Sequence, residues 1–298
     1  DYFMQLKVLG VLPNMARTEF RNRFAIRGGY MGKQIIGIKN EDELTTILNS
    51  CSFRALKKDW RKDLPPKIYT PVHLEMSPKQ AQHYHSMLED FYADIEEGRV
   101  TAELVLTQMD KLRQISSGMV IKDGESSWFD PPGKNVKLQA TRQILEGTAN
   151  KSIVVHCYKP SGVMIHEQLQ KDGYEPAVIK GSMDPQFLAD EKNRFNNDPK
   201  CRVIVCNEAA AFRGHTLIGS KGKDRCTVMA FFENSFSYYQ RAQMEDRNHR
   251  GAQDQDCNIY DLITSATDQS TVNSVTRKKD AADSLDEFIK LVKQGLGK

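Results

Sequence analysis

No window of the 298 residues approaches eighteen consecutive apolar positions, so nothing in the sequence reads as a membrane-spanning helix. The opening has neither a basic n-region nor a cleavage site, and so gives no sign of secretion. Charge of one sign is missing too. The 42 basic and 39 acidic residues leave a net charge of +3, too mild to mark a nucleic-acid binder, and any such contact has to be local. The six cysteines contain no C-x-x-C, and several sit in apolar runs where a reduced thiol packs as a small hydrophobe. His83 and His85, two apart on an expected helix, point away from each other, so no structural metal is expected. Two glycine-lysine strings fail as phosphate-binding loops. Gly28-Gly29-Tyr30-Met31-Gly32-Lys33-Gln34 is one residue short before Gly-Lys and has no hydroxyl after it, and Gly219-Ser220-Lys221-Gly222-Lys223-Asp224 lacks both hydroxyl and spacing. No acidic magnesium motif of the Asp-Glu-x-His kind occurs either.

What is present, with 39% hydrophobic content, is the makings of a sizeable core in a soluble globular protein. The first segment, 1–66, mixes apolar helix-like pieces (Phe3 to Leu12, Glu41 to Leu48) with basic connections and ends at Leu64-Pro65-Pro66. It has no initiator methionine and enters in mid-pattern, as expected of a piece of a longer protein. A second segment, 67–133, begins with an alternating strand from Ile68 to Met76. Ser77 and Pro78 then give a helix start signal. The helix carries Tyr84, Met87, Leu88, Phe91 and Ile95 at helical spacing, and a second, Ala102 to Ile115, carries Leu104, Leu106, Met109, Leu112 and Ile115. Both stripes read as core. Residues 122–133 are turn-rich.

From 134 to 298 the pattern is a regular αβ alternation. Short apolar strands at 153–157, 177–179, 202–206, 226–232 and 257–263 are separated by helices at 137–145, 163–169 and 185–195, with a charged helix at the close. Continuous apolar strands between helices indicate a parallel sheet covered on both faces, a doubly wound α/β lobe. In such sheets ligands sit beyond the carboxyl ends of the strands, so the loops there are expected to form one working edge.

The stretch Tyr239 to Gln253 reads Q-x-x-x-R-x-x-R-G-x-Q. Gln243, Arg247 and Arg250 are related as i, i+4 and i+7 and would share one face of a helix, with Gly251 at its left-handed end. Two planar guanidinium groups on one face match phosphate oxygens. Upstream, Gly214 in Arg213-Gly214-His215-Thr216-Leu217 can bring backbone close to a phosphate, and Thr216 offers a hydroxyl to DNA or to a nucleotide. Lys159, Lys180 and Ser182 follow the first two strands of the alternation.

The block from Gln243 to Gln253 resembles motif VI of superfamily two helicases, and most closely that of the Swi/Snf-type DNA translocases. Asn207 to Leu217 resembles the family's motif V, with His215 and Thr216 in place of Leu and Asn. Leu112 to Gly118, His156 to Lys159, Gly181-Ser182 and Glu233 to Phe236 stand at family positions in consistent order. The spacer Gly251-Ala252 departs from the family, which has an apolar residue and then glycine. The resemblance implies a RecA-like helicase C-terminal lobe at 134–298, with 1–66 as the tail of the first motor lobe. It implies an ATP-dependent DNA helicase or translocase in which Arg247 and Arg250 are catalytic and Gln243 and Gly214 contact nucleotide. Thr216, Lys159, Lys180 and Ser182 would contact double-stranded DNA. ATP and Mg²⁺ would be held mainly by an upstream N-terminal RecA-like lobe, which is absent from this sequence, so the chain alone is expected to be inactive. Compact connections favour a bacterial or phage source, hence the cytoplasm, with the nucleus expected if the source is eukaryotic. The rivals are another superfamily two motor, such as an RNA helicase or restriction translocase, and a non-enzymatic nucleic-acid-binding module of the same fold.

Overall fold

The computed structural model describes residues 2–12, 14–28, 34–53, 57–97 and 102–277. The glycine-lysine string from Gly29 to Lys33, the end of the closing charged helix, and the side chains of Ile95 and Leu106 lie outside the described set. Contacts divide the chain into two units, 1–62 and 63–298.

The first unit contains α1 (Tyr2–Val8), α2 (Arg17–Phe24), β1 (Ala25–Gly28), β2 (Gln34–Ile38), α3 (Glu41–Cys51) and α4 (Lys57–Trp60). Phe3, Leu6, Phe20, Phe24 and Leu44 bury together, with the Phe20 ring tilted against those of Phe3 (centroids 5.5 Å apart) and Phe24 (4.9 Å). The antiparallel pair β1–β2 was not expected from the pattern. Asn40 takes a left-handed conformation (φ 52°) before α3, and its amide donates to the Arg23 carbonyl. Glu41, Asp42 and Glu43 then fill the first turn, where carboxylates oppose the helix dipole.

The second unit runs β3 (Lys67–His73), α5 (Pro78–Glu96), α6 (Ala102–Ser116), β4 (Met119–Lys122), β5 (Glu125–Trp128), α7 (Val136–Glu146), β6 (Lys151–His156), α8 (Lys159–Lys171), β7 (Ala177–Ile179) and α9 (Pro185–Asn197). It continues with β8 (Val203–Asn207), α10 (Glu208–Ala211), β9 (Cys226–Phe231), α11 (Tyr238–Glu245), β10 (Cys257–Ile263) and α12 (Ala266–Arg277). Its six-stranded sheet has the order β3-β10-β9-β6-β8-β7, every pair parallel. Every residue of β6 and β9 is buried, the polar Lys151, Ser152 and His156 of β6 included, because helices cover both faces. Ile153, Val155, Ile204, Cys206, Met229 and Phe231 pack on one face with Phe195 and Met244. Val154, Val203 and Val205 pack on the other with Leu138, Ile165 and Leu169. This is the RecA-like doubly wound lobe.

The segment 67–133, expected as a link, supplies the edge of this same sheet: β3 pairs with β10 from Lys67↔Cys257 to His73↔Ile263. The stripes of α5 and α6 bury Tyr84, Leu88, Phe91, Met109, Leu112 and Ile115 together. Part of the turn-rich stretch is a hairpin, β4–β5, closed by Asp123 (φ 53°) and Gly124 (φ 83°).

Candidate functional site

The helix expected through Arg250 is shorter than the spacing implies. Ser237 caps α11 by accepting from the Gln240 amide, and α11 stops at Glu245, where the Asp246 N–H turns back to the carbonyls of Ala242 and Met244. Arg247 and Arg250 therefore lie in the turns that follow, and Gly251 does not cap the helix. Tertiary hydrogen bonds outcompete further helix: the Arg247 carbonyl accepts from the Leu217 N–H at 2.9 Å. The side chains of Asn248 and Gln253 both donate to the Cys226 carbonyl at the amino end of β9.

Those turns still bring Gln243, Arg247, Arg250 and Thr216 together. The Nη1 atoms of Arg247 and Arg250 both donate to the His215 carbonyl, at 2.9 and 3.3 Å. Arg247 is 4% exposed, its Nε bonded to the Gln243 carbonyl (2.7 Å) and its Nη2 to Gln243 Oε1 (3.3 Å). Burial, then the neighbouring Arg250 charge, lowers its pKa. Arg250 is exposed and rests Nη1 on Thr216 Oγ1 at 2.6 Å, while its Nε and Nη2 make no hydrogen bond to the described residues. Among the described residues neither guanidinium has a carboxylate within ion-pair distance. Two cations sharing one carbonyl, with donors left over, form a site suited to an anion.

Gly214, exposed, sits just before with φ +73° and open space around it, so backbone conformation rather than crowding calls for glycine there. His215 is 9% exposed, its Nδ1 buried without a hydrogen-bond partner among the described residues, and burial lowers its pKa. Sequence reasoning passed over Arg213, whose guanidinium lies 4.7 Å from the Phe212 ring and 5.9 Å from that of Tyr239 beside this group. Its place next to Gly214 was the available signal. Arg241, from the same stretch, has a different role. It is buried, pairs with Asp261 and Glu245 and also donates to Asn234 Oδ1. Burial opposes its charge, but Asp261 and then Glu245 outweigh that and raise its pKa.

The single working edge expected beyond the carboxyl ends of the strands is divided in two. The arginines lie toward the amino end of β9, whereas Lys159 and Lys180 line a cleft of about 590 Å³ beyond the carboxyl ends of β6, β7 and β8. His156, Cys157, Gly181 and Asn207 line it as well. Ser182, exposed at its rim turn, holds φ +59°, a strained conformation for a non-glycine residue. Thr216, a candidate for DNA or nucleotide, belongs with Arg250 and not with these lysines.

Buried carboxylates that local sequence did not reveal fix the floor of the cleft. Glu233 accepts the N–H groups of Cys157 (2.7 Å) and Tyr158 (3.1 Å) and the Ser161 hydroxyl. Glu208 accepts from Cys157 Sγ and from the Ser235 N–H, and burial raises its pKa. Gly162 leaves room for the His156 ring, whose Nδ1 meets the Tyr158 carbonyl at 2.9 Å.

The sequence profile of the SNF2-related domain matches residues 1–119. The SWI/SNF chromatin-remodeling complex subunit snf22 of Schizosaccharomyces pombe is 25% identical over 281 residues, covering 87% of this chain and 16% of that protein. Among solved structures, the Sulfolobus solfataricus SWI2/SNF2 ATPase core in complex with double-stranded DNA matches 95% of this chain and 61% of its own, with TM-score 0.58 and 21% identity. The chain is thus similar to Swi/Snf-type ATPases, and its residues 1–119 match the SNF2-related domain family. The C-terminal part of the Fun30 ATPase domain shares its fold at TM-score 0.60 and 15% identity, over 78% of this chain and 99% of that one. The chain spans 16 to 25% of the length of the first curated relatives it matches. No helix among its described residues is long and apolar enough to cross a membrane.

Proposed function

We propose that this chain is the second motor lobe, with the tail of the first, of an ATP-dependent DNA translocase or helicase. In this reading Arg250 reaches the ATP phosphates across the cleft to an upstream lobe. The supporting observation is the pair of guanidinium groups that share the His215 carbonyl without any carboxylate, one of them with spare donors. Arg250 would stabilise charge developing on the transferred phosphoryl group. Arg247, buried and with each of its three nitrogens already donating once, would hold the carbonyl and Gln243 in place beside it. Gly214 would let the backbone approach the nucleotide.

The upstream lobe would supply the phosphate loop and the Mg²⁺ ligands, so this chain by itself would not turn over ATP. Lys159, Lys180 and Ser182, at the cleft beyond the carboxyl ends of the strands, would grip the backbone of double-stranded DNA. Bacterial cytoplasm, or that of a phage-infected host, is the compartment this reading favours.

DNA-stimulated ATPase of the full-length parent tests the assignment. Arg250→Ala is expected to cut turnover by about 10³- to 10⁵-fold, the scale of arginines acting on phosphoryl transfer, with thermal melting nearly unchanged. Arg250→Lys is expected to be almost as damaging, because an ammonium cannot present a planar pair of donors. A lysine variant that keeps most of its turnover would refute the assignment.

A further inference from the structure

We propose that Asn196 is the positioning residue of the arginine site, fixing the backbone strip on which Arg250 rests; its consequence for turnover depends on the function proposed above. Asn196 lies at the end of α9 and touches neither guanidinium. Its side-chain Nδ2 donates to the Thr216 carbonyl at 2.9 Å, and its Oδ1 accepts the N–H groups of Ile218 at 3.1 Å and Gly219 at 3.0 Å. One amide thus holds both ends of a four-residue strip.

That strip has no regular secondary structure between His215 and Ile218, so its peptide planes depend on such contacts. The other anchors are the Leu217 N–H on the Arg247 carbonyl and the Ile218 carbonyl under the Cys226 N–H. Arg250's acceptors lie at the head of this strip: Oγ1 belongs to Thr216 itself, and the His215 carbonyl is in the peptide bond to the Thr216 nitrogen. Releasing the Thr216 backbone would let both shift. Gly219 gives the strip its exit: with φ +68° and a Cβ position only 2.0 Å from the Asp224 carbonyl oxygen, it takes no side chain.

The chemistry also calls for asparagine. A carboxylate would keep the two accepted N–H groups but turn an acceptor toward the Thr216 carbonyl, and alanine would lose all three bonds. The neighbouring Asn197 is a built-in contrast. Its Nδ2 bonds Asn193 Oδ1 within α9, whereas the bonds of Asn196 lead to residues twenty and more positions away.

The test uses the full-length parent carrying Asn196→Ala, Asn196→Asp or the control Asn197→Ala, each with and without Arg250→Ala. Asn196→Ala is expected to lower kcat of DNA-stimulated ATP hydrolysis roughly 10- to 100-fold, the scale of misplacing a catalytic group by a fraction of an ångström to an ångström. KM for ATP should stay within about threefold, since the interaction lost matters in the transition state. Asn196→Asp should lose less and Asn197→Ala nothing. In the Arg250→Ala background Asn196→Ala should add no further loss, because it acts through that arginine. Independently of turnover, Asn196→Ala should shift the Arg250 Nε–H resonance and speed hydrogen exchange at Ile218 and Gly219.

Losses that multiply in the double variant, or an Arg250 resonance that stays put, would overturn the proposal. Should Asn196→Ala unfold the protein, the Asn196→Asp variant, close in size, carries the same resonance and double-variant tests. If Arg250→Ala leaves turnover intact while the resonance still moves, positioning stands and the function assigned to Arg250 fails.

Discussion

Replacing Arg247 with alanine tests whether the two motif arginines are as differently situated as the geometry indicates. Arg247 is buried and spends its donors on the Gln243 carbonyl, Gln243 Oε1 and the His215 carbonyl. The Gln243 carbonyl lies in the last turn of α11, where carbonyls lack helical partners, and the Arg247 amide itself turns to Met244 instead. Truncation therefore strands that carbonyl and leaves a void along the side-chain path. Hydrogen bonds to charged groups contribute about 1.5–3 kcal/mol each, but removing a cation whose burial is already unfavourable returns part of that sum. The net expected loss is about 2–4 kcal/mol, or roughly 5–15 °C in melting temperature for a unit of this size. Arg250→Ala, at an exposed position, should cost under about 1 kcal/mol. Parallel thermal and urea melts of the two variants, in buffer free of phosphate and nucleotide, measure the contrast. If Arg247→Ala melts within about 2 °C of the unsubstituted chain, or Arg250→Ala loses just as much, the division into a packed and an available guanidinium is wrong.

Other sites give separate expectations. Gly162→Ala would put a methyl group 2.3 Å from Cε1 and 2.4 Å from Nε2 of the buried His156 ring. It should destabilise the lobe by about 1–3 kcal/mol, less in a His156→Ala background, as read by urea unfolding. Burial lowers the pKa of both His156 and His215, so each contributes stability that is complete above the unfolded value of about 6.5 and is lost as pH falls below it, where the unfolded chain takes up the protons first. Urea midpoints at pH 7.5 and 5.5 should fall with pH, and fall less in His156→Gln and His215→Gln variants; an unchanged drop in both would exclude the imidazoles as its source. DNA binding should weaken as salt rises, without base-sequence preference. Lys159→Ala and Lys180→Ala should each flatten the slope of log affinity against log salt by about one unit, and slopes unaltered in both variants would exclude them as phosphate contacts.

The central strands were legible because a strand covered on both faces is apolar at every position, as in Ile153-Val154-Val155. The β4–β5 hairpin was missed because its exposed residues, Lys122, Glu125, Ser126 and Ser127, give no apolar alternation. Asp123-Gly124, both at positive φ, was nonetheless a readable turn signal. Around the arginines, periodicity chose the right companions for the wrong reason. Gln243, Arg247 and Arg250 do meet, but through turns set by Leu217 and Cys226, which lie far away in sequence and which no helical spacing reveals. The same long-range bonds carry the arginines away from the edge where Lys159 and Lys180 sit. The anchoring roles of Glu208 and Glu233 were not legible because their partners, backbone N–H groups with the Cys157 thiol and the Ser161 hydroxyl, come from other parts of the chain.

The position of β3 has a mechanical consequence. The chain leaves the first unit at Lys62 and, five residues later, becomes the edge strand of the second unit's sheet. A pull on that connection directed along β3 would be fed lengthwise into the strand. In this parallel pairing the load falls on all the register pairs from Lys67↔Cys257 to His73↔Ile263 together, as shear, rather than peeling them apart one at a time. Along that direction the edge strand should therefore resist being stripped from the sheet better than under a pull across it.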